Sequence, residues 1–217
     1  MNAPIPKQYL DLAGQPVIDW SLRLFLDHSR ISGVFVSLDP RDEYWSQTAF
    51  AGNRQVRALD GGTERCHSVL NVLDLLVRNT DGGDWVLVHD AARPCLRRDD
   101  LDRLLTRMAC HPVGGLLGVP VRDTMKQVGE GSAVRRTVPR NDLWHAFTPQ
   151  MFRLGLLHRA LRAVLAKGDL VTDDASAVEL LGLAPLLVEG HADNIKITRP
   201  EDLALAAFYL EQQGRLC

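Results

Sequence analysis

The sequence predicts an α/β protein whose mostly parallel sheet is flanked by helices and carries a protruding β-hairpin arm. Short apolar runs alternate with stretches of helical periodicity up to about residue 120, an order typical of parallel sheets with crossover helices. A polar hairpin pattern then interrupts the alternation at about 121–142. The 217 residues, 46% hydrophobic and 24% charged, suit one globular domain over 1–217 that includes this arm.

Composition excludes several classes of partner. A net charge of −2 gives no general affinity for nucleic acid or anionic membranes, so phosphate binding would need locally placed Lys and Arg side chains. No apolar run approaches the ~20 residues of a membrane span. The four cysteines (Cys66, Cys95, Cys110 and Cys217) form no C-x-x-C or zinc spacing, so we expect free thiols and a cytoplasmic protein.

The first part of the chain reads as a loop followed by alternating elements. Residues 1–10 contain two prolines and no periodic pattern, and Pro16 then begins a helix. The elements expected next are a strand at 33–38, a weaker strand at 56–59, a helix beginning after Arg65, a buried strand at 86–88, a helix with Asp99 as N-cap, and a strand at 114–119.

The second part contains the arm and three further helices. Residues 124–128 and 133–138 form the predicted hairpin; because an isolated hairpin is marginal in water, we expect it to pack on a second subunit. The elements expected after the arm are a helix at 154–167 ended by Gly168, a short helix capped at 172–174 and ended by Gly182, a strand at 186–188, an extended piece at 194–197, and a last helix that begins at a Thr198–Glu201 capping box.

Two stretches are candidates for chemistry. The strand at 86–88 ends in His89 and Asp90, with Arg93 close behind, at the sheet edge where ligands of α/β proteins bind. A carboxylate there can hold a divalent metal, or the Asp–Arg pair can simply close a turn. The Gly61-Gly62 pair before a helix can offer amides to an anion, or can be an ordinary tight turn.

Seven short stretches become specific when they are taken in order. They are Pro6-Lys7-Gln8-Tyr9-Leu10, Asp60-Gly61-Gly62, His89-Asp90-Ala91-Ala92-Arg93-Pro94, Val121-Arg122-Asp123-Thr124-Met125-Lys126, Thr148-Pro149-Gln150, Thr172-Asp173-Asp174-Ala175-Ser176-Ala177 and Asp193-Asn194-Ile195-Lys196-Ile197-Thr198-Arg199-Pro200-Glu201-Asp202. The set resembles the 2-C-methyl-D-erythritol 4-phosphate cytidylyltransferase family of the non-mevalonate isoprenoid pathway. The resemblance implies a Rossmann-like fold and transfer of a cytidylyl group from CTP to methylerythritol phosphate, with release of pyrophosphate.

The resemblance also implies residue roles. Lys7 would stabilise the transition state at the α-phosphate, although alone it would read as a solvated loop lysine. Asp90 would coordinate Mg²⁺ or another divalent cation, and Arg65 would shape the CTP site or contact phosphate. The other CTP-site residues would be Gly62, Thr63, Ser68 and Ala91, with Arg93 beside them in an unsettled role. The substrate-phosphate side would comprise Thr124, Arg140, Thr148, Thr172, Lys196 and Thr198, of which Arg140 and Lys196 join Lys7 as catalytic residues.

Several alternatives and departures accompany this interpretation. Thr172 and Thr198 have capping explanations as well, and Thr124 and Arg140 would act in the neighbouring subunit's site of a homodimer. The family's first strand and Gly-rich loop, which carries another arginine, would precede Lys7 and are not found from Met1 onward, so we expect a start codon assigned too late or an omitted upstream segment. Pro139 stands where an acidic residue is usual. The alternative functions are cytidylyl transfer to another polyol phosphate such as ribitol 5-phosphate, or a non-catalytic dimeric scaffold.

Overall fold

The computed structural model describes residues 5–216. The beginning of the expected N-terminal loop and the thiol of Cys217 therefore lie outside the described residues. The strands are β1 (Asp11–Leu12), β2 (Gln15–Pro16), β3 (Val34–Leu38), β4 (Val56–Asp60), β5 (Trp85–Val88), β6 (Gly114–Pro120), β7 (Met125–Val128), β8 (Val134–Val138), β9 (Trp144–Arg153) and β10 (Leu186–Glu189). The helices are α1 (Val17–Leu26), α2 (Arg65–Leu76), α3 (Arg98–Met108), α4 (Leu154–Leu165), α5 (Asp174–Glu179) and α6 (Glu201–Gln212).

A four-stranded sheet in the order β10-β6-β9-β5 forms the centre of the molecule. β10 and β6 are parallel, whereas β9 runs antiparallel to both β6 and β5. The predicted α/β class, with helices around a central sheet, is confirmed. The sheet itself is mixed because β9, which returns from the arm and which the sequence pattern did not mark as a strand, lies between two strands of the opposite direction.

A second, two-stranded sheet pairs β3 with β4 in parallel. It packs through Val36 against Tyr9, Ile18 and Leu22, which belong to the segment from the first 3₁₀ turn to α1. Near the chain start, β1 and β2 form a small antiparallel hairpin between the loop predicted at 1–10 and the predicted helix, where the sequence analysis predicted no element. Its two-residue turn has positive φ at Ala13 (52°) and Gly14 (85°), the backbone shape that such tight hairpins need.

The core lies on both faces of the central sheet. Successive residues of β9 point to opposite sides, as the pleat requires: Phe152 packs with α2, α4 and α5, and Met151 packs with α3 and α1. Leu116 and Leu117 of β6 divide between the same two clusters. The helices predicted by their apolar spacing therefore cover both faces and leave the strand ends open for a site.

β7 and β8 form an antiparallel hairpin within the predicted arm. Its 3₁₀ turn contains Gly131 at φ 65°, a conformation that favours glycine. Val128 and Val134 on the two strands are 56% and 60% exposed, so the hairpin has apolar surface that this chain does not cover. Its use in dimerisation stays a prediction.

Helix starts are partly as predicted. Asp173 caps α5, and Ser176 completes a reciprocal capping box with it. Asp99 is not an N-cap: α3 follows Arg97, and Asp99 lies in the first turn, where its charge suits the helix dipole. No helix within 5–216 is long and apolar enough to cross a membrane.

The predicted capping box before α6 is wrong in detail. Its expected partner was Glu201, but the carboxylate of Asp202 accepts instead. Asp202 Oδ2 takes hydrogen bonds from the Thr198 backbone N–H (2.7 Å), the Thr198 hydroxyl (3.0 Å) and the Arg199 N–H (2.8 Å). With Pro200 as N-cap, α6 begins at Glu201, two residues later than a capping box with Thr198 as N-cap would place it.

Candidate active site

Asp90, just beyond the end of β5, is surrounded by cationic side chains. Its Oδ2 lies 2.8 Å from Lys196 Nζ and 3.5 Å from Arg93 Nε, and its Oδ1 lies 3.2 Å from Arg65 Nε. The side chain is only 13% exposed. Burial alone would raise the pKa of this carboxyl, but the hydrogen bond from Lys196 and the charges of Lys196 and Arg65 hold the pKa well below its usual range. Asp90 is therefore an anion at neutral pH.

The turn that presents Asp90 is held by Thr148 of β9. Thr148 Oγ1 accepts from the Asp90 N–H (3.0 Å) and lies 3.1 Å from His89 Nδ1. His89 Nε2 lies 3.1 Å from the Arg93 carbonyl oxygen, which can only accept, so Nε2 carries the proton and Nδ1 accepts from the Thr148 hydroxyl. Burial lowers the pKa of His89 to about 4, which keeps the ring neutral. The peptide bond between Thr148 and Pro149 is cis.

The segment before α6 completes the site from the other side. The Arg93 guanidinium donates to the Asn194 carbonyl oxygen (2.7 Å), and the Asn194 side-chain amide donates to the Thr148 carbonyl oxygen (2.9 Å). These bonds hold the chain two residues before Lys196 against the Asp90 turn. The position of the Lys196 ammonium is therefore set by the fold and not by the sequence near it.

A cavity of about 270 Å³ opens above these groups. The residues that line it are Arg65, Asp90, Arg93, Ala146, Phe147, Thr148, Gln150, Thr172, Asp173 and Lys196. Six of the predicted site residues thus meet in one place. A larger cavity of about 640 Å³ lies beside β10 and α3, but no predicted site residue lines it, so chemistry and not size selects the smaller one.

Other predicted CTP-site residues lie in the turn between β4 and α2. The Gly62 N–H donates to Ser68 Oγ (3.0 Å), and Thr63 Oγ1 lies 3.2 Å from His67 Nδ1. A Cβ at Gly62 would come within 2.3 Å of the His67 Cβ, so no side chain fits there. These residues do not line the 270 Å³ cavity. The close approach of His67 is therefore sufficient to explain why residue 62 is a glycine, and no bound ligand is needed to explain it.

Lys7 lies in a 3₁₀ turn and is half-buried. Burial lowers the pKa of its ammonium, the charge of Lys196 lowers it further, and the charge of Asp90 opposes both. Lys7 is thus within electrostatic reach of the Asp90 group, although it does not line the cavity. Ala91 follows Asp90 directly, and its carbonyl oxygen accepts from the Ser21 hydroxyl (2.9 Å).

Three predicted substrate-side residues lie away from this cavity within the chain. Thr124 and Arg140 are exposed residues at the base of the hairpin, and the Arg140 guanidinium donates to the backbone oxygen of Arg122. Thr198 is engaged by Asp202 as described above. The structure of the single chain therefore brings the Arg65–Asp90–Lys196 group together but does not bring the arm residues to it.

Sequence reasoning missed Asp174 and Gln150 as parts of this site. Asp174 Oδ2 lies 2.7 Å from the Arg65 guanidinium, and the Asp174 side chain is fully buried. Gln150 donates to Asp173 (2.8 Å) and accepts from the Ala175 N–H (2.8 Å), which ties α5 to β9. Both residues stood in quoted motifs, but only their contacts across the chain reveal their roles.

One group of possible metal ligands lies elsewhere. Within 5–216, Asp99, Asp100 and His191 bring ligand atoms within 4.8 Å of one another. Asp100 Oδ1 already accepts from His191 Nδ1 (2.8 Å) and Arg103 (3.0 Å), and Oδ2 accepts from the His191 backbone N–H (2.9 Å), so both oxygens are engaged. Asp90 is not part of this group.

Comparison with known proteins places this geometry in a family. The chain is 54% identical over 204 residues to proteins from Pseudomonas fluorescens (strain Pf0-1) and Pseudomonas entomophila (strain L48), both named 2-C-methyl-D-erythritol 4-phosphate cytidylyltransferase. Each match covers 94% of this chain and 87% of the relative.

Solved structures agree. A crystal structure of 4-diphosphocytidyl-2C-methyl-D-erythritol synthase superposes with a TM-score of 0.86 at 39% identity, covering 94% of this chain and 95% of that one. A crystal structure of a 2-C-methyl-D-erythritol 4-phosphate cytidylyltransferase from Francisella tularensis superposes with a TM-score of 0.83 at 36% identity. The match covers 95% of this chain and 94% of that one. The family model described as IspD, 2-C-methyl-D-erythritol 4-phosphate cytidylyltransferase, matches residues 1–212. The chain therefore belongs to the 2-C-methyl-D-erythritol 4-phosphate cytidylyltransferase family.

Proposed function

We propose that this chain transfers a cytidylyl group from CTP to 2-C-methyl-D-erythritol 4-phosphate, giving 4-diphosphocytidyl-2-C-methyl-D-erythritol and pyrophosphate in isoprenoid precursor synthesis. The observation that carries the proposal is the anionic Asp90 ringed by Lys196, Arg65 and Arg93 at a strand end, in a chain of this family. Such a group suits a reaction between two highly charged phosphates.

The reaction needs charge neutralisation and positioning. A phosphate oxygen of the acceptor attacks the α-phosphorus of CTP, a new P–O bond forms, and the bond to the β-phosphate oxygen breaks as pyrophosphate leaves. The attacking phosphate is already an anion, so no general base is required. Lys7 and Lys196 are the cations whose ammonium groups can neutralise oxygens as charge spreads in the transition state. Arg140 adds a guanidinium fork for the acceptor's phosphate.

The residues fit a divalent cation. Asp90 is an ionised carboxylate at the cavity wall, and Mg²⁺ in proteins is commonly held by one or two carboxylates together with substrate phosphates. Asp90 would be its protein ligand. When bound, the ion would polarise nucleotide phosphate oxygens and offset their charge.

Arg65 has a more defined role than the sequence suggested. It is hydrogen-bonded to two carboxylates, so of the two alternatives, shaping the site is better supported than direct contact with phosphate. The CTP side of the site would further include Gly62, Thr63, Ser68 and Ala91, and the phosphate side would include Thr148, Thr172 and Thr198. The Cζ atom of Arg93 lies 4.9 Å from the centroid of the Phe147 ring. Through its contact with Asp90 and its hydrogen bond to the Asn194 carbonyl oxygen, Arg93 would hold the Asp90 turn.

The acceptor side of the site calls for a homodimer. Thr124 and Arg140 are exposed on the hairpin at about 121–142 and do not line the cavity of their own chain. We place them in the partner's site, with the exposed Val128 and Val134 covered by the second subunit. One domain spanning 1–217 would then supply residues to two sites. The free thiols Cys66, Cys95 and Cys110 suit the reducing cytoplasm in which we place this enzyme.

The direct test is an assay of pyrophosphate released from CTP in the presence of methylerythritol phosphate and Mg²⁺. We expect turnover that depends on both substrates and stops when a chelator removes the metal. Ribitol 5-phosphate is the comparison substrate, and equal or better turnover with it would reject the proposed acceptor. Binding of CTP without any turnover would favour the scaffold alternative.

A further inference from the structure

Asp174 occupies an unusual position behind the candidate site. Its side chain is fully buried at the first residue of α5 and does not line the 270 Å³ cavity. Oδ2 makes the 2.7 Å contact with Arg65, whereas Oδ1 is buried without a hydrogen-bond partner among the described residues. A buried carboxylate with an unsatisfied oxygen is destabilising, so its presence calls for a reason other than packing.

Arg65 joins this carboxylate to the functional one. Its Nη2 donates to Asp174, and its Nε donates to Asp90 Oδ1 at 3.2 Å. One guanidinium therefore bridges two carboxylates that come from different parts of the chain. The Arg65 side chain is 34% exposed, so without Asp174 it would be held by Asp90 alone and could turn toward solvent.

Hydrogen bonds fix the backbone on both sides of Asp174. The capping box between Asp173 and Ser176 fixes the first turn of α5, and Gln150 binds both Asp173 and the Ala175 N–H from β9. Gln150 is 1% exposed. The residues on both sides of Asp174 are thus hydrogen-bonded to the central sheet. The carboxylate that binds the Arg65 guanidinium is therefore held in a fixed position.

Charge adds a second effect. Three cations contact Asp90, and without compensation they would oppose the approach of a divalent cation to it. A second carboxylate on Arg65 shares that residue's charge and leaves Asp90 more available. Both effects act through Arg65.

We propose that Asp174 is a positioning residue that holds the Arg65 guanidinium in place against Asp90, and thereby supports binding of the metal–nucleotide at Asp90. The inference rests on the proposed function for the identity of that ligand. Outer residues that orient a metal ligand commonly contribute 10- to 100-fold to affinity or activity. We therefore expect Asp174→Asn, which keeps the size but removes the charge, to weaken Mn²⁺·CTP binding by about tenfold.

The experiment is a double-mutant cycle with Asp174→Asn, Arg65→Gln and the double variant. The readouts are calorimetric binding of Mn²⁺·CTP, and KM for CTP and kcat in the Mg²⁺ assay. Each single change should raise KM for CTP more than it lowers kcat. The double variant should be no worse than the poorer single variant, because both act through one bridge. Effects that multiply would overturn the proposal.

Asp100→Asn is the matched control. Asp100 is likewise fully buried and paired with an arginine, Arg103, at 3.0 Å, but it lies outside the candidate site. The Asp100→Asn variant should be less stable than the wild type but should bind Mn²⁺·CTP with unchanged affinity. If Asp174→Asn behaved in the same way, losing only thermal stability, Asp174 would be structural and the proposal wrong.

Arg65→Lys keeps the inference testable if Asp174→Asn does not fold. A lysine keeps the charge but cannot span two carboxylates with a rigid fork. It should weaken Mn²⁺·CTP binding about as much as Arg65→Gln, and wild-type affinity would reject the bridge. Because binding is measured without the acceptor, a wild-type chain that binds CTP but transfers nothing would contradict the proposed function and leave this test intact.

Discussion

The Lys196 ammonium lies 2.8 Å from Asp90 Oδ2 and joins the segment before α6 to the end of β5. The carboxylate that we propose as ligand of a divalent cation is thus already paired with a lysine. We therefore expect Lys196 and a divalent cation to compete for Asp90 when no nucleotide is present, whereas the phosphate oxygens of bound CTP would offer the ammonium another partner.

Lys196→Ala should lower turnover and at the same time strengthen metal binding by the nucleotide-free enzyme. Turnover falls by about 10²- to 10³-fold because a cation that offsets transition-state charge is lost. Mn²⁺ affinity rises by at least about fivefold because Asp90 loses its closest positive neighbour. Assays of pyrophosphate release and a Mn²⁺ titration followed by electron paramagnetic resonance measure the two effects. Lys196→Arg is the control; unchanged Mn²⁺ affinity in the alanine variant would refute competition.

Lys7→Ala should reduce kcat far more than it weakens CTP binding. Lys7 is within electrostatic reach of Asp90 and Lys196 but does not line the cavity, so its contribution is expected mainly when charge develops at the α-phosphate. We expect a loss in kcat of about 10²-fold or more, with a dissociation constant for CTP within about threefold. Steady-state kinetics and calorimetry provide the comparison. An equal loss in both quantities would mean that Lys7 only binds the ground state.

Arg140→Ala should weaken binding of the acceptor phosphate, and its defect should be complemented in mixed dimers. If the arm completes the neighbouring site, a dimer of one Arg140→Ala chain and one Lys7→Ala chain has one site with neither change. Mixing the two impaired variants under subunit exchange, at an acceptor concentration where each alone is nearly inactive, should restore up to about a quarter of the wild-type activity per total chain, given random pairing and two sites per dimer. Absence of recovery, with exchange verified by mass spectrometry, would place Arg140 outside the partner's site.

Cys95 should make the protein less stable at alkaline pH. Burial raises the pKa of its thiol from 9.0 to about 12, so the folded state keeps a proton that the unfolded state loses above pH 9. The free energy of unfolding therefore falls by about 1.4 kcal/mol per pH unit between pH 9 and 12. Urea unfolding at pH 8 and pH 10.5 measures the effect. Between these two pH values the free energy of unfolding of Cys95→Ala should fall less than that of the wild type. Cys110→Ala, a change at an exposed thiol, should keep the wild-type slope.

Much of the local structure could be predicted because it depends on neighbours in the chain. The apolar spacing identified the helices on both sheet faces, and Gly168 and Gly182, with φ of 75° and 77°, lie where helix ends were expected. The Asp173 cap also depends only on nearby residues. Where two local interactions compete, the sequence was insufficient: Asp202 and Glu201 can both reach back to Thr198, and only the geometry of the turn selects Asp202.

The site was predictable in part for a different reason. Ordered motifs identified the family and, with it, Asp90, Lys196, Thr148 and Arg65, which meet in one cavity. The strand β9 was missed because its residues carry no clear alternation, as its core half is buried on both faces of the sheet. Thr148, which holds the Asp90 turn, reaches it only because β9 lies between β5 and β6.

The sequence by itself determined the α/β class, most helices, the hairpin and a family-specific set of charged residues, since these follow from local periodicity and ordered motifs. Tertiary structure alone decided that Lys196 and Arg65 join Arg93 at the Asp90 carboxylate, and that Asp174 binds the guanidinium of Arg65. The physical reason is that ion pairs form between groups close in space, and the separation in space of residues from β5, α2, α5 and the segment before α6 is fixed by the packing of the sheet and its helices.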